Sequence, residues 1–258
     1  MFKRLAGFMV LFHALTAWAG EPDVTEIIEK ANRAAYYAGK DGRADVAMKI
    51  DDGKGNIRER AFTILRLNTG EVDQRFYVYF KAPADVRKMA YLVWKNPGRE
   101  DDRWLWLPAL NLVKRIAPGD KRTSFVGSDF VYEDVSGRDL AADHHELVET
   151  TDTQYVVENT PKKPDEVEFS SYKVWIDKDT FLPRKAEYRD KSGKLYRRVE
   201  ALAVTDVDGY PTVTESRVQD LVTGGSTLNA FSNISYDLGL VDKIFTERFL
   251  RRPPREIR

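Results

Sequence analysis

The 258-residue chain has no cysteine, which excludes disulfides, thiolate nucleophiles and cysteine-ligated metals. Histidine is scarce. Of three, His13 falls in the leader segment described below, and His144 and His145 are neighbours in a predicted β-run. Adjacent strand residues point to opposite faces, so the pair is not placed to share a metal or a proton. No H-E-x-x-H, G-x-S-x-G or glycine-rich phosphate loop is present. Gly119-Asp120-Lys121-Arg122-Thr123 lacks phosphate-loop spacing and reads as a basic surface loop. Glu100-Asp101-Asp102 and Glu133-Asp134 supply carboxylates, but a glycosidase needs two facing each other across a cleft, and charges beside turns read as solvated. The chain therefore reads as a non-enzyme with no cofactor and no metal. Neither charge sign dominates, with 41 basic and 41 acidic residues, so nothing marks a nucleic-acid binder.

Long apolar runs are missing as well. Lys3 and Arg4 precede an apolar stretch over residues 5–15, broken by His13, and Ala17-Trp18-Ala19 follows as a small-x-small cleavage pattern. That stretch is well short of the roughly 20 residues a membrane span needs. The expected organisation is a signal peptide at residues 1–19, cleaved after Ala19, and one domain at residues 20–258, exported to the periplasm. With no cysteine at the new N-terminus the domain is expected to be soluble rather than lipid-anchored. Losing Lys3 and Arg4 leaves 39 basic against 41 acidic residues, a net charge near −2. A chain of this size buries roughly 70% of its unfolded surface, enough to fold without disulfides.

Aromatic residues are plentiful by contrast: 13 Phe, 12 Tyr and 5 Trp against a mean hydropathy of −0.49. Asp23 as N-cap, with Glu26 completing a capping box, predicts one helix carrying Val24, Ile27, Ile28, Ala31, Ala34, Ala35 and Ala38 on its apolar face and stopping at Gly39. The period then changes to two. Alternating runs occupy residues 44–50, 57–67, 144–150, 153–159, 168–177, 184–189, 195–207, 212–221 and 227–236, with short helices possible at 128–135 and 241–250. Strands at this spacing, joined by short turns, predict a mainly β fold: a single antiparallel sheet of roughly ten to twelve strands. A sheet that large curls or partly closes, with the few helices covering its mouth.

Residues 76–80, 90–94 and 104–107 are denser and apolar on both faces. A strand wetted on one side alternates, so the second face must meet something non-aqueous: covering helices, or a cavity. Arg103-Trp104-Leu105-Trp106-Leu107-Pro108-Ala109-Leu110, with Val113-Lys114-Arg115-Ile116 and the block at residues 124–134, resembles the outer-membrane lipoprotein-sorting proteins of the LolA-like superfamily. Trp175-Ile176-Asp177, Leu182-Pro183-Arg184-Lys185 and the turn at residues 193–197 extend the resemblance along the chain, nearer to the longer generic relatives than to LolA itself. The resemblance implies a strongly curved, unclosed half-barrel whose concave side holds an apolar cavity under helices. It also implies a periplasmic, monomeric shuttle for a lipid or acylated lipoprotein, receiving cargo from an inner-membrane transporter and passing it to an outer-membrane acceptor.

The residues expected to line such a cavity are Phe76, Val78, Phe80, Trp94, Trp104 and Trp106, with Phe125, Phe130 and Tyr132 from a movable cover. Two other readings compete: a module that docks on a transporter through an aromatic surface without carrying lipid, and a lipid-acting enzyme. A transmembrane barrel does not fit, because Thr-Val-Thr-Glu-Ser-Arg-Val-Gln-Asp at residues 212–220 could not face lipid. The basic tail at residues 251–258 reads as a solvated end.

Overall fold

Asp23 sits in extended backbone and accepts the Thr25 amide at 3.3 Å, which starts helix α1 (Val24–Tyr36) where the sequence places it. Glu26 does not complete the capping box. It pairs with Lys30 one turn on, at 2.6 Å. The computed structural model describes residues 22–257, so the signal-peptide reading at residues 1–19 lies outside the described residues.

Thirteen strands follow, one more than the upper expectation: β1 (Asp41–Asp51), β2 (Ile57–Asn68), β3 (Gln74–Ala82), β4 (Ala90–Lys95), β5 (Asp102–Leu107), β6 (Leu112–Arg115), β7 (Asp143–Thr150), β8 (Gln154–Pro161), β9 (Phe169–Asp177), β10 (Pro183–Asp190), β11 (Leu195–Val207), β12 (Tyr210–Asp220) and β13 (Ser226–Tyr236). All belong to one antiparallel sheet in the order β6-β5-β4-β3-β2-β1-β13-β12-β11-β10-β9-β8-β7. Two meanders, β1–β6 and β7–β13, are thus joined where β1 pairs with β13, and β6 and β7 are left as free edges. The ladder shifts register at several points, including Arg43/Asp45 on β1, Ala201/Ala203 on β11 and Leu147/Glu149 on β7. Each shift bends its strand and adds twist, and together they curve the sheet without closing it. Charged residues at the free edges, Lys114 and Arg115 on one side and Glu146 and Glu149 on the other, discourage edge-to-edge pairing.

This topology explains why β2–β5 are apolar on both faces. On the concave side Phe62, Phe76, Val78, Phe80, Tyr91, Val93 and Leu105 form one core. On the convex side Leu65, Leu67, Tyr77, Leu92, Trp104 and Trp106 form another. The convex core is covered by the end of the chain, where a 3-10 turn (Asp242–Ile244), helix α3 (Glu247–Arg251) and a last 3-10 turn (Arg255–Ile257) bury Ile244, Phe245, Leu250 and Ile257. Buried Asp41 anchors this segment by accepting the Leu238 and Leu240 amides, each at 2.8 Å. Tyr77 donates to the Phe249 carbonyl and Trp94 to the Phe245 carbonyl, both at 2.7 Å. The tail is therefore not a solvated end. Arg251 stacks over Trp106 at 4.4 Å, and Ile257 is buried.

The concave side is covered differently. Residues 116–142 must connect β6 to β7, the two opposite edges of the sheet, and they do so across the hollow, with helix α2 (Tyr132–Ser136) and buried Ile116, Phe125 and Val131. This crossing segment acts as a plug. It ends α2 at Gly137, whose φ of +77° and ψ of 154° suit glycine alone. A Cβ there would lie 2.7 Å from the Tyr36 ring of α1. Gly137→Ala is expected to cost about 1–3 kcal/mol, read as a lower urea midpoint at unchanged slope. Among the described residues no helix is long and apolar enough to cross a membrane.

Candidate functional site

Between α1, the plug and the concave face lies a cavity of about 500 Å³. It stays open because the elements around it present small side chains. Helix α1 faces it with Ala31, Ala34 and Ala35, β1 with Gly42 and Ala44, and β10 and β11 with Ala186 and Ala201. These side chains reach too short a distance to fill the hollow of the sheet. Between them, Ile28, Met48, Phe62, Ile64, Val174, Val199 and Phe231 supply an apolar wall.

The structure divides the expected lining residues into three groups. Phe76, Val78, Phe125 and Phe130 line the cavity. Phe80 and Tyr132 belong to the same core but stand behind the wall, Phe80 5.8 Å and Tyr132 5.5 Å from the Phe125 ring. Trp94, Trp104 and Trp106 are not at the cavity. They lie on the convex face beneath residues 238–257, because their strands turn the alternate residues, Val93, Arg103 and Leu105, inward. The missed wall residues come largely from α1 and from β8–β13, whose ordinary alternation carries no mark of facing a void.

A network of buried charges fastens the plug to the second meander. Arg122 donates to Glu168 at 2.6 Å and to Glu133 at 3.1 Å, and lies over the Phe169 and Tyr188 rings. Arg138 reaches Asp143 at 2.8 Å and Glu133 at 3.4 Å, and the Tyr172 hydroxyl donates to Asp143 at 2.8 Å. Arg197 pairs with Asp134. The expectation of a basic surface loop and of solvated acids at Glu133-Asp134 is corrected here: Arg122 and Glu133 are buried against each other, which pairing makes tolerable. Burial followed by the neighbouring Asp143 carboxylate pushes the Tyr172 hydroxyl far above its usual range, so it stays a neutral donor. His144 is exposed, while His145 bonds Asn159 at 2.6 Å and the Leu140 carbonyl at 2.9 Å, a structural role. Asp101 pairs with Arg103, and Asp102 with Arg115.

The Glu168 contact gives a pH expectation. Burial raises its carboxyl, but the hydrogen-bonded Arg122 guanidinium outweighs this and holds it below the usual value of 4.5. A depressed folded value means the contribution is complete above about pH 4.5 and lost as pH falls through the folded value. The protection of amides over residues 120–135, taken as the intrinsic exchange rate at each pH relative to the observed rate, should therefore fall on acidification from about pH 6 to about pH 3.5, and Glu168→Gln should remove part of that fall. Equal acid responses in the two proteins would contradict this reading.

Comparison with known proteins places the fold. A family model described as an uncharacterized protein matches residues 72–252. A crystal structure of a DUF1329 family protein from Desulfovibrio piger ATCC 29098 is 33% identical, covers 88% of this chain and 98% of that chain, and superposes with a TM-score of 0.79. A structure described as an outer membrane lipoprotein-sorting protein domain, from Vibrio parahaemolyticus, has the same TM-score of 0.79 at 27% identity, over 88% of this chain and 97% of that one. A LolA superfamily protein from Nitrosomonas europaea shares the fold at 22% identity and a TM-score of 0.67, over 88% and 98% of the two chains. No curated protein gave a significant match. The unclosed thirteen-stranded sheet and these relatives agree with the resemblance carried by the central sequence block: the chain belongs to the DUF1329 family, with a LolA-like, lipoprotein-sorting-type fold.

Proposed function

We propose that this protein is a periplasmic carrier that takes the acyl chains of a lipid or lipoprotein into its concave cavity and moves them between envelope membranes. The observation that carries this reading is the apolar cavity of about 500 Å³, a volume within the roughly 300–1,000 Å³ range of small-molecule sites. Each methylene leaving water contributes about 0.8 kcal/mol, so a 16-carbon chain gains roughly 13 kcal/mol in an apolar site. A bilayer offers nearly the same gain. The difference between cavity and membrane is therefore small, and cargo can be both captured and released.

The description of the Vibrio parahaemolyticus relative as an outer membrane lipoprotein-sorting protein domain supports this reading, as does the lack, among the described residues, of a free acid–base pair in the cavity wall. Its two carboxylates, Asp134 and Glu200, are held by Arg197 and Arg217. Transport is thus favoured over chemistry on the lipid. A pure docking module is favoured less, because the aromatic surface it would use, Trp94, Trp104 and Trp106, is covered by the chain's own end. In the proposed cycle an inner-membrane transporter loads the carrier, contact with the membrane is transient, and an outer-membrane acceptor unloads it. The test is transfer. With donor vesicles holding a fluorescent phospholipid and unlabelled acceptor vesicles, the protein should raise the exchange rate in proportion to its concentration. No acceleration across a range of chain lengths would contradict carriage.

A further inference from the structure

Two of the basic side chains at the apolar cavity touch no carboxylate among the described residues. Five basic residues border it: Arg43, Arg66, Arg138, Arg184 and Lys185. Arg43 pairs with Asp45 at 3.1 Å, Arg138 with Asp143 at 2.8 Å and Lys185 with Glu187 at 3.5 Å. Arg66 and Arg184 form no ion pair among the described residues. Arg66 is the more informative of the two. Its guanidinium donates to the Ala38 carbonyl and, at 2.9 Å, to the Asn68 side-chain oxygen, both neutral acceptors. A guanidinium has five N–H groups, so donor capacity is left over. Asp41 and Asp237 favour the cation through space, but neither contacts it: Asp41 accepts the Leu238 and Leu240 amides, and Asp237 the Lys40 amide and the Tyr210 hydroxyl.

Arg66 borders the cavity, and no side chain stands between it and its β1 neighbour. Gly42 is its cross-strand neighbour, and a Cβ there would stand 3.5 Å from Arg66 Nη2 and 3.2 Å from the Tyr236 ring. Burial disfavours the charged guanidinium and lowers its affinity for the proton, and the Asp41 and Asp237 carboxylates offset this only in part. Strand direction alternates from β2 through β1, β13, β12 and β11 to β10, so the end of β2 and the start of β10 belong to the same rim of the half-barrel. Arg66 is two residues from the end of β2, and Arg184 is the second residue of β10.

We infer that Arg66, with Arg184 at the same rim, binds the anionic group of the cargo, a carboxylate or a phosphodiester, while the acyl chain lies deeper, among Phe76, Val78 and Phe231. The cargo is then an anionic amphiphile rather than a neutral one. This rests on the carrier reading and sharpens it. An anion at Arg66 would complete the charge-assisted, bidentate pairing that guanidinium geometry favours.

The test is equilibrium binding to the delipidated full chain of two matched pairs: palmitate against methyl palmitate, and phosphatidylglycerol against diacylglycerol. The wild-type protein should prefer the anionic member of at least one pair by about tenfold or more, the size of one hydrogen bond to a charged group. A preference in the first pair alone identifies a free carboxylate, and in the second alone a phosphodiester. Arg66→Gln should bring the members of that pair within about threefold of each other, with Arg66→Lys in between. Should Arg66→Gln fail to fold, the wild-type ratio and its reduction in Arg184→Gln decide the matter. Equal wild-type affinities within both pairs overturn the anion inference and leave carriage standing, whereas no binding of any of the four overturns both.

Discussion

Replacing Phe245 with alanine is expected to lower stability by about 3–5 kcal/mol, the usual cost of emptying a fully buried phenylalanine site. Phe245 is 0% exposed and fills the convex core beside Tyr77, Leu92 and Trp104. With domain stabilities of roughly 5–15 kcal/mol, the loss should be plain in a urea titration. The backbone carbonyl that accepts the Trp94 indole survives the substitution, so the measurement isolates packing from that hydrogen bond. Trp94→Phe isolates the other contribution and should cost about 1–3 kcal/mol, because it leaves the Phe245 carbonyl unpaired. If Phe245→Ala changes stability by less than about 1 kcal/mol, the end of the chain is not a structural cover. The tryptophan face would then be available to a partner, and the docking reading would regain its basis.

Ala201→Phe should have the opposite profile, with little effect on stability and a large effect on binding. Ala201 is on β11 with its short side chain at the cavity wall, across the ladder from Ser216, which also lines it. A ring added there enters empty space rather than a packed core, so overpacking strain should stay below about 1 kcal/mol. The space it takes is the space an acyl chain needs. Affinity for cis-parinaric acid, whose fluorescence rises in an apolar site, should fall by more than about tenfold, equivalent to roughly two buried methylenes. Unchanged affinity would place the acyl site elsewhere on the molecule.

Much of the architecture is legible from local pattern. The Asp23 cap, the alanine-rich face of α1 and the period-two runs place nearly every element, since each depends on neighbours within a few residues. The chain's long-range consequences are not legible in the same way. Which face of β4 and β5 turns inward is set by register with strands tens of residues away, and density of aromatics alone put Trp94, Trp104 and Trp106 on the wrong side. Arg122 reads as a surface charge until Glu168, 46 residues on, is brought against it. The arginine- and proline-rich end reads as solvated because its anchor, Asp41, is 197 residues from Leu238. The cavity itself is hardest to see, because it is made by small side chains contributed separately by α1, β1, β10 and β11. Alanine and glycine at those positions carry no local sign that the space in front of them stays empty.

The central claim is that this cavity holds an acyl chain. Native mass spectrometry of the protein purified from the periplasm without detergent, beside Ala201→Phe prepared identically, tests it most directly. The account predicts one acylated amphiphile per wild-type chain and an empty variant of unchanged fold. A wild-type protein that is empty in every preparation, or a variant that retains the same amphiphile, would contradict it.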